Sequence, residues 1–420
     1  MTSDGDPLRI LARAIARLEG LVDRLPVEVA KDLRARITTL RALVLEKRPP
    51  ALLLIGRRGA GKSSLINALF GARIAAIGHV TAQTGRGRWY DYEREGGAMS
   101  ILDTRGIQEG SAPAEEDEVA TAIESIAAAL REKPADLVVF VAKASEVDSA
   151  IDADLAALEG VYDILGVSHH ARPPLVAVVT HCDLLEPKGA RLDAATRKEG
   201  SEREEVEEKL NHVATAERAL ATKMHQRPRL REHLVATLGV SAYMSWRADG
   251  TMRADERWRI DDLALTLFRH VPDSARAELA RVTRARAVQE ELGVTLTRAT
   301  ATVCAGIAAA PIPVADIFPL TALQAGLVAA IAWISGRSLD AKGSTEFLAS
   351  LGANVGMAFA LRETVRALLK VIAPGGGTLV SATIAFTGTM AIGAAARAYF
   401  IAGVSLADAK RVFRRSRKEP

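Results

Sequence analysis

Eight consecutive residues, Gly56, Arg57, Arg58, Gly59, Ala60, Gly61, Lys62 and Ser63, constrain this chain more than any others. They follow an apolar run at 51–55 and precede a helix-like segment at 64–70. A strand, a glycine loop and a helix in that order form the setting in which backbone amides wrap around a phosphate. Gly56 and Gly61 let the loop curl around a diphosphate with no Cβ in the way, and the helix aims the positive end of its dipole at the same anion. Lys62 is placed to reach the β and γ phosphates, and Ser63 to put its hydroxyl on Mg²⁺. Gly59, Ala60 and Ser64 complete the expected cradle.

The rest of the chain has room for more than one domain. At 420 residues, 49% apolar and 25% charged, it can bury a sizeable core and is not a disordered chain. The net charge of +4 is too small to announce a nucleic-acid binder, although residues 410–418 are locally basic. Two cysteines, Cys182 and Cys304, exclude a disulfide scaffold and fit a reducing compartment. The first helix carries charges and no apolar core of the signal-peptide kind, so no secretory signal is expected.

Short apolar runs alternate with helical segments from residue 50 onward, which predicts an α/β fold with a mainly parallel sheet. The expected buried strands are 51–55, 99–102, 137–141, 175–179 and 234–240, with 88–93 as an edge strand. Helices are expected at 202–222, 257–270 and 274–292, the first of them so charged that a solvated face is its plain reading. Residues 7–48 read as a helical hairpin broken near Pro26, packing either outside the α/β domain or on its surface. The expected domains are thus a hairpin at 1–49, the α/β domain at 50–272, an all-α hydrophobic domain at 273–405 and a basic tail at 406–420.

Three further motifs stand in order at strand ends. Asp103, Thr104, Arg105 and Gly106 have the Asp-x-x-Gly form, in which Asp103 holds Mg²⁺ through water and the Gly106 amide senses the γ phosphate. Thr180, His181, Cys182 and Asp183 are similar to the guanine-reading Asn/Thr-Lys-x-Asp motif. The Asp183 carboxylate can accept from guanine N1 and N2, donors that adenine lacks, and a buried carboxylate left unpaired penalises the wrong base. Ser241, Ala242 and Tyr243 resemble the Ser-Ala-Lys element that supports guanine O6 through a backbone amide.

With these residues in hand, 50–270 resemble the translation-factor-related GTPases, nearest to the Era-like and immunity-related groups. The resemblance implies GTP/GDP and Mg²⁺ as ligands and GTP hydrolysis as the activity. It also implies a threonine that closes over the metal. Thr81 and Thr84 both qualify, and Thr84 is preferred because Ala82, Gln83 and Thr84 followed by Arg86 are similar to the Era-like switch. Lys62 and Thr84 are then the catalytic candidates, and Ser63, Thr84 and Asp103 the metal set. His181 stands where the guanine motif has Lys, and Ile107 where a water-orienting Gln is usual, with Gln108 one position late. The expectation is weakened affinity and slow hydrolysis completed by dimerisation or a partner. Arg57 and Arg58 could serve as arginine fingers across a homodimer, or be ordinary surface arginines.

The C-terminal third resembles the hydrophobic helical domain fused to many bacterial GTPases. Residues 299–335 hold one formal charge, Asp316, and 371–396 hold none, lengths near the span of about 20 apolar residues that a bilayer requires. Pro311, Pro313 and Pro319 interrupt the first stretch. These segments are expected either to engage membrane lipids from the cytoplasmic side, with Arg411, Arg414, Arg415, Arg417 and Lys418 facing the headgroups, or to form a buried helical core. The alternative function is a cytoplasmic ribosome- or RNA-associated assembly GTPase. Against it, no Gly-x-x-Gly clamp in a KH-like setting and no aromatic platform is found in the sequence, so nucleic acid is not the expected partner.

Overall fold

The computed structural model describes residues 9–22, 27–74, 88–94, 97–103, 122–148, 151–169, 172–192, 201–309, 318–337, 339, 341–351 and 377–417. The chain divides into two compact units. One is Pro49–Pro272; the other joins Met1–Arg48 to Asp273–Pro420. The first helices, α1 (Arg9–Val22) and α2 (Val27–Val44), belong to the second unit.

The α/β unit is built on a six-stranded sheet: β1 (Ala51–Ile55), β2 (Arg88–Arg94), β3 (Gly97–Asp103), β4 (Leu137–Lys143), β5 (Leu175–Thr180) and β6 (Leu234–Gly239). Spatial order is β2-β3-β1-β4-β5-β6, parallel throughout except where the edge strand β2 runs against β3. Every residue of β1 and β5 is buried, as the continuous apolar runs demand of strands covered on both faces. The helices of this unit are α3 (Lys62–Phe70), α4 (Ala122–Glu132), α5 (Ile151–His169), α6 (Ser201–His225), α7 (Pro228–Arg231) and α8 (Ile260–His270). All six expected strands form, including the antiparallel edge. A hairpin of β7 (Met244–Trp246) and β8 (Met252–Asp255) was not expected, because its strands are short and half-exposed.

The register of the parallel strands decides where chemistry can occur. Ile55 pairs with Phe140, and Lys143 with Thr180, so the carboxyl ends of β1, β4 and β5 lie side by side. In open parallel sheets that end is where ligands bind.

The helical unit adds α9 (Asp273–Thr283), α10 (Arg286–Ala309), α11 (Phe318–Ile334), α12 (Ala341–Leu351), α13 (Gly377–Phe400) and α14 (Leu406–Ser416). The helix expected at 274–292 is broken instead, since Arg284 takes a left-handed backbone (φ 52°) between α9 and α10. The hairpin packs within this unit, α1 on α11 and α2 on α9 and α10. Glycines permit close approaches at two helix contacts, α11 with α1 and α13 with α10. A Cβ on Gly326 of α11 would stand 2.9 Å from Leu11 Cα, and one on Gly393 of α13 would stand 2.7 Å from Thr297 Cβ on α10. Trp333, near the end of α11, lies between the cations of Lys47 and Arg281, at 4.3 and 4.1 Å from its ring.

Among the described residues no helix is long and apolar enough to cross a membrane. The described parts of the two stretches expected near spanning length belong to this unit: α11 has 17 residues, of which 325–334 are all buried, whereas α13 leaves Ile384 and Phe386 exposed. Helix α13 carries Thr383, Thr387, Gly388 and Thr389 along its length. Pro311, Pro313, Asp316 and Lys418 lie outside the described residues. We expect Gly326→Val to destabilise the helical unit by about 1–3 kcal/mol, because Leu11 backbone cannot move aside as a side chain can. A lower urea midpoint by circular dichroism checks this, and an unchanged midpoint refutes the close contact.

Candidate nucleotide-binding site

The loop between β1 and α3 is shaped by contacts that admit no side chain. A Cβ on Gly56 would fall 2.2 Å from the Val141 carbonyl oxygen of β4. Gly59 and Gly61 adopt left-handed backbones (φ 74° and 90°), and Gly61 caps the N-terminus of α3. Lys62 Nζ donates to the carbonyls of Gly56 (2.6 Å) and Arg57 (3.1 Å), curling back over the loop. Ala60 is buried, whereas Ser63 and Ser64 in the first turn of α3 are half-exposed. This cradle fits a phosphate chain: the two positions whose backbones are left-handed and the one nearest β4 are all glycine.

Thr180, at the end of β5, donates its hydroxyl to the Ala60 carbonyl at 2.6 Å and so ties the loop to the neighbouring strand. His181 follows with a left-handed backbone (φ 57°), and its ring packs on Gly61, where a Cβ would stand 3.1 Å from its Cε1. Burial, foremost, pushes the His181 pKa below its ordinary value; Lys143 acts in the same sense and Asp183 and Glu146 oppose it. Asp183 sits in a single 3₁₀ turn, Cys182–Leu184. Cys182 beneath it is fully buried, and burial pushes its thiol up to about 12, which makes it an inert packing group. Ser241 is fully buried, and its backbone exchanges hydrogen bonds with Trp258. Gly61, Ser64, Thr180, His181, Asp183 and Ala242 line one pocket, together with Asn67 and the Tyr243, Met244 and Trp246 segment.

Asp103 ends β3 on the strand next to β1, where its Cα pairs with Leu54. Thr81, Thr84, Arg86, Gly106, Ile107 and Gln108 lie outside the described residues. Of the two loop arginines, Arg57 is engaged within its own chain, its Nε 2.6 Å from the buried carboxylate of Asp154 on α5.

Helix α6 does more than present a solvated face. Lys209, 1% exposed, donates to the carbonyls of Asp183 (2.6 Å), Ala190 (2.8 Å) and Pro187 (3.2 Å), pinning the turn that carries Asp183. Two turns later Glu217 accepts from the Gly239 amide at the end of β6 and from Arg259 at 2.6 Å. One helix therefore holds both the turn that carries Asp183 and the strand end that precedes Ser241 and Ala242. Nothing in the glutamate-rich run at 202–208 marks the following Lys209 as buried; its apolar neighbours Val206, Leu210 and Val213 were the available signal.

Residues 51–180 match a family described as 50S ribosome-binding GTPase. Together with the loop and its strand context, this defines a P-loop GTPase domain. The match ends at Thr180, so the segments around Asp183 and Ser241 rest on the geometry above. Curated relatives include GTPase Der of Clostridium perfringens, 30% identical over 135 residues, spanning 32% of this chain and 28% of that protein. GTPase Der of Pelotomaculum thermopropionicum is 29% identical over 195 residues, spanning 43% and 40%. The chain thus covers well under two thirds of either relative. Solved structures with a similar fold include Era with MgGDPNP and nucleotides 1506–1542 of 16S ribosomal RNA, at 16% identity, 61% of this chain, 68% of that one and TM-score 0.32. Another is Toc33 of Arabidopsis thaliana with GDP and Mg²⁺, at 15% identity, 61% and 94% coverage and TM-score 0.31.

Lys209→Met would leave three carbonyls, one buried and two part-buried, without their donor. We expect GDP affinity to fall by about tenfold or more and hydrogen exchange at 183–190 to accelerate. Exchange as slow as in the wild type would show that the lysine is dispensable.

Proposed function

We propose that this chain binds GTP and hydrolyses it to GDP and phosphate, working as a slow switch. The observation that carries this reading is the meeting, in one pocket, of the phosphate loop at Gly61 with Asp183 and Ala242. A phosphate cradle and a base-reading carboxylate serve no purpose apart, and their spacing across the carboxyl ends of β1, β5 and β6 suits a nucleoside polyphosphate. In this reading Gly56, Gly59, Ala60, Gly61 and Ser64 receive the phosphates, Lys62 leaves its loop carbonyls for the β and γ oxygens, and Gly106 reports the γ phosphate. Ser63, Thr84 and Asp103 would hold Mg²⁺, which when bound neutralises charge on the β and γ phosphates. Thr180 and His181 wall the base, Asp183 pairs with guanine N1 and N2, and Ser241 and Ala242 support O6.

Ile107 leaves the attacking water without the usual orienting glutamine, so turnover awaits a group from a partner or a second copy. Because Arg57 is held by Asp154, it is a poor donor of that group. As partner we favour a ribosomal or other RNA surface in the cytoplasm over a lipid bilayer. The burial of α11 removes the apolar face that a bilayer would solvate, and the family matched by 51–180 is described by its ribosome binding. Helix α14 offers the contact: Arg411, Arg414, Arg415 and Arg417 lie on or beside one short helix, with Arg411 well exposed.

Steady turnover of GTP by the wild type, lost in Lys62→Ala, is the expected outcome of a phosphate-release assay. In competition titrations a strong preference for GTP over ATP should shrink to within about tenfold in Asp183→Ala. Equal binding of both nucleotides by the wild type would reject the base assignment. Co-sedimentation with ribosomal subunits, stronger with a non-hydrolysable GTP analogue and lost at high salt, supports the RNA surface; co-flotation with anionic vesicles instead would restore the membrane reading.

A further inference from the structure

Two ammonium groups flank the phosphate loop, and the glycine-loop pattern accounts for only one. Lys62 leads α3 and bonds the loop carbonyls from within. The other is Lys143, the last residue of β4, in register with Thr180 on β5. The point that a Cβ on Gly59 would occupy lies 3.7 Å from Lys143 Nζ and 4.0 Å from its Cε, so this side chain runs along the outer turn of the loop. Glu146, in the 3₁₀ turn Ala144–Glu146 that follows, holds the ammonium at 3.3 Å. The lysine is 31% exposed, shielded enough to be placed and open enough to meet an anion.

The strand end beside it cannot supply that charge. His181 packs its ring on Gly61, and its burial, with Lys143 adding to the effect, favours the neutral imidazole over the opposition of Asp183 and Glu146. Position 181 therefore offers an uncharged wall to the nucleotide, while the cation stands one strand away against the same loop.

We propose that Lys143 supplies the second positive charge of the phosphate loop: held by Glu146 beside Gly59, its ammonium draws the diphosphate end of the nucleotide into the cradle. The inference rests on the nucleotide-binding reading given above. It assigns a division of labour in which the neutral ring at 181 serves the base and the cation at 143 serves the phosphates. The ligand it selects is a nucleotide with at least two phosphates, since a lone α phosphate would not reach the outer turn of the loop.

Titration of the full-length protein with fluorescent GDP in Mg²⁺ buffer, with displacement by unlabelled GDP and GMP at low and moderate salt, tests this. Lys143→Met and Lys143→Gln should weaken GDP by about tenfold or more, flatten its salt dependence and leave GMP within about twofold. Lys143→Arg should retain most of the affinity. Both neutral variants binding GDP within twofold of the wild type would overturn the inference, as would an equal loss for GMP and GDP, which would mark the lysine as a general support of the fold. A wild-type protein that binds no guanine nucleotide would overturn the underlying reading instead.

Discussion

A contact too close for any side chain governs the nucleotide end of this protein. Gly56 leaves β1 so near β4 that a single added carbon would sit 2.2 Å from the Val141 oxygen. That approach presses the whole loop onto the ends of the two neighbouring strands. From there Thr180 can reach the Ala60 carbonyl, His181 can lie on Gly61, and Lys143, two residues past the contact, can run alongside Gly59. A larger residue at 56 would lift the loop and break all three relations together. The phosphate cradle is thus a property of three strands in register, and α3 inherits its position from them.

The base-facing side is held by a different device. Asp183 stands on a 3₁₀ turn past the end of β5, and Ala242 lies past the end of β6 beside the Ser241–Trp258 bridge. Helix α6 fastens both from outside, Lys209 through three carbonyls and Glu217 through the Gly239 amide and Arg259. A buried ammonium is tolerated there because every hydrogen has an acceptor, even though desolvation pushes its pKa down. In the proposed reading, affinity for a base is in this way made dependent on residues that never approach it.

How far the fold could be read in advance follows from what each element shows in one dimension. The buried strands were legible because burial on both faces writes an unbroken apolar run, as in 51–55 and 175–180. The loop was legible because left-handed backbone demands glycine at 59 and 61. The break at Arg284 was not, since no glycine or proline announces it, and the β7–β8 hairpin was not, since Met244–Trp246 and Met252–Asp255 are too short to show alternation. Lys143 and Lys209 were missed for a common reason. A lysine's role depends on what surrounds its end: Lys209 meets the Asp183 carbonyl 26 residues away, and Lys143, although paired with nearby Glu146, lies beside Gly59, 84 residues away. The switch threonine at 81 or 84 and Gly106 stay readings of the sequence, being outside the described residues.

The helical unit joins segments that lie on either side of the α/β unit in sequence: α1 and α2 pack on each other and on α9, α10 and α11. The Arg48 amide reaches the Ser274 carbonyl at 2.9 Å, so the chain leaves and re-enters this unit at nearly one point. Made on a ribosome, the hairpin emerges before 49–272 and waits for α11 to complete the burial of Leu11, Ile15 and Leu18. At roughly 5–20 residues per second that delay is on the order of ten to forty seconds, ample for the α/β unit to fold. The hairpin is therefore made well before the helices that complete its burial, with the whole α/β unit synthesised in between.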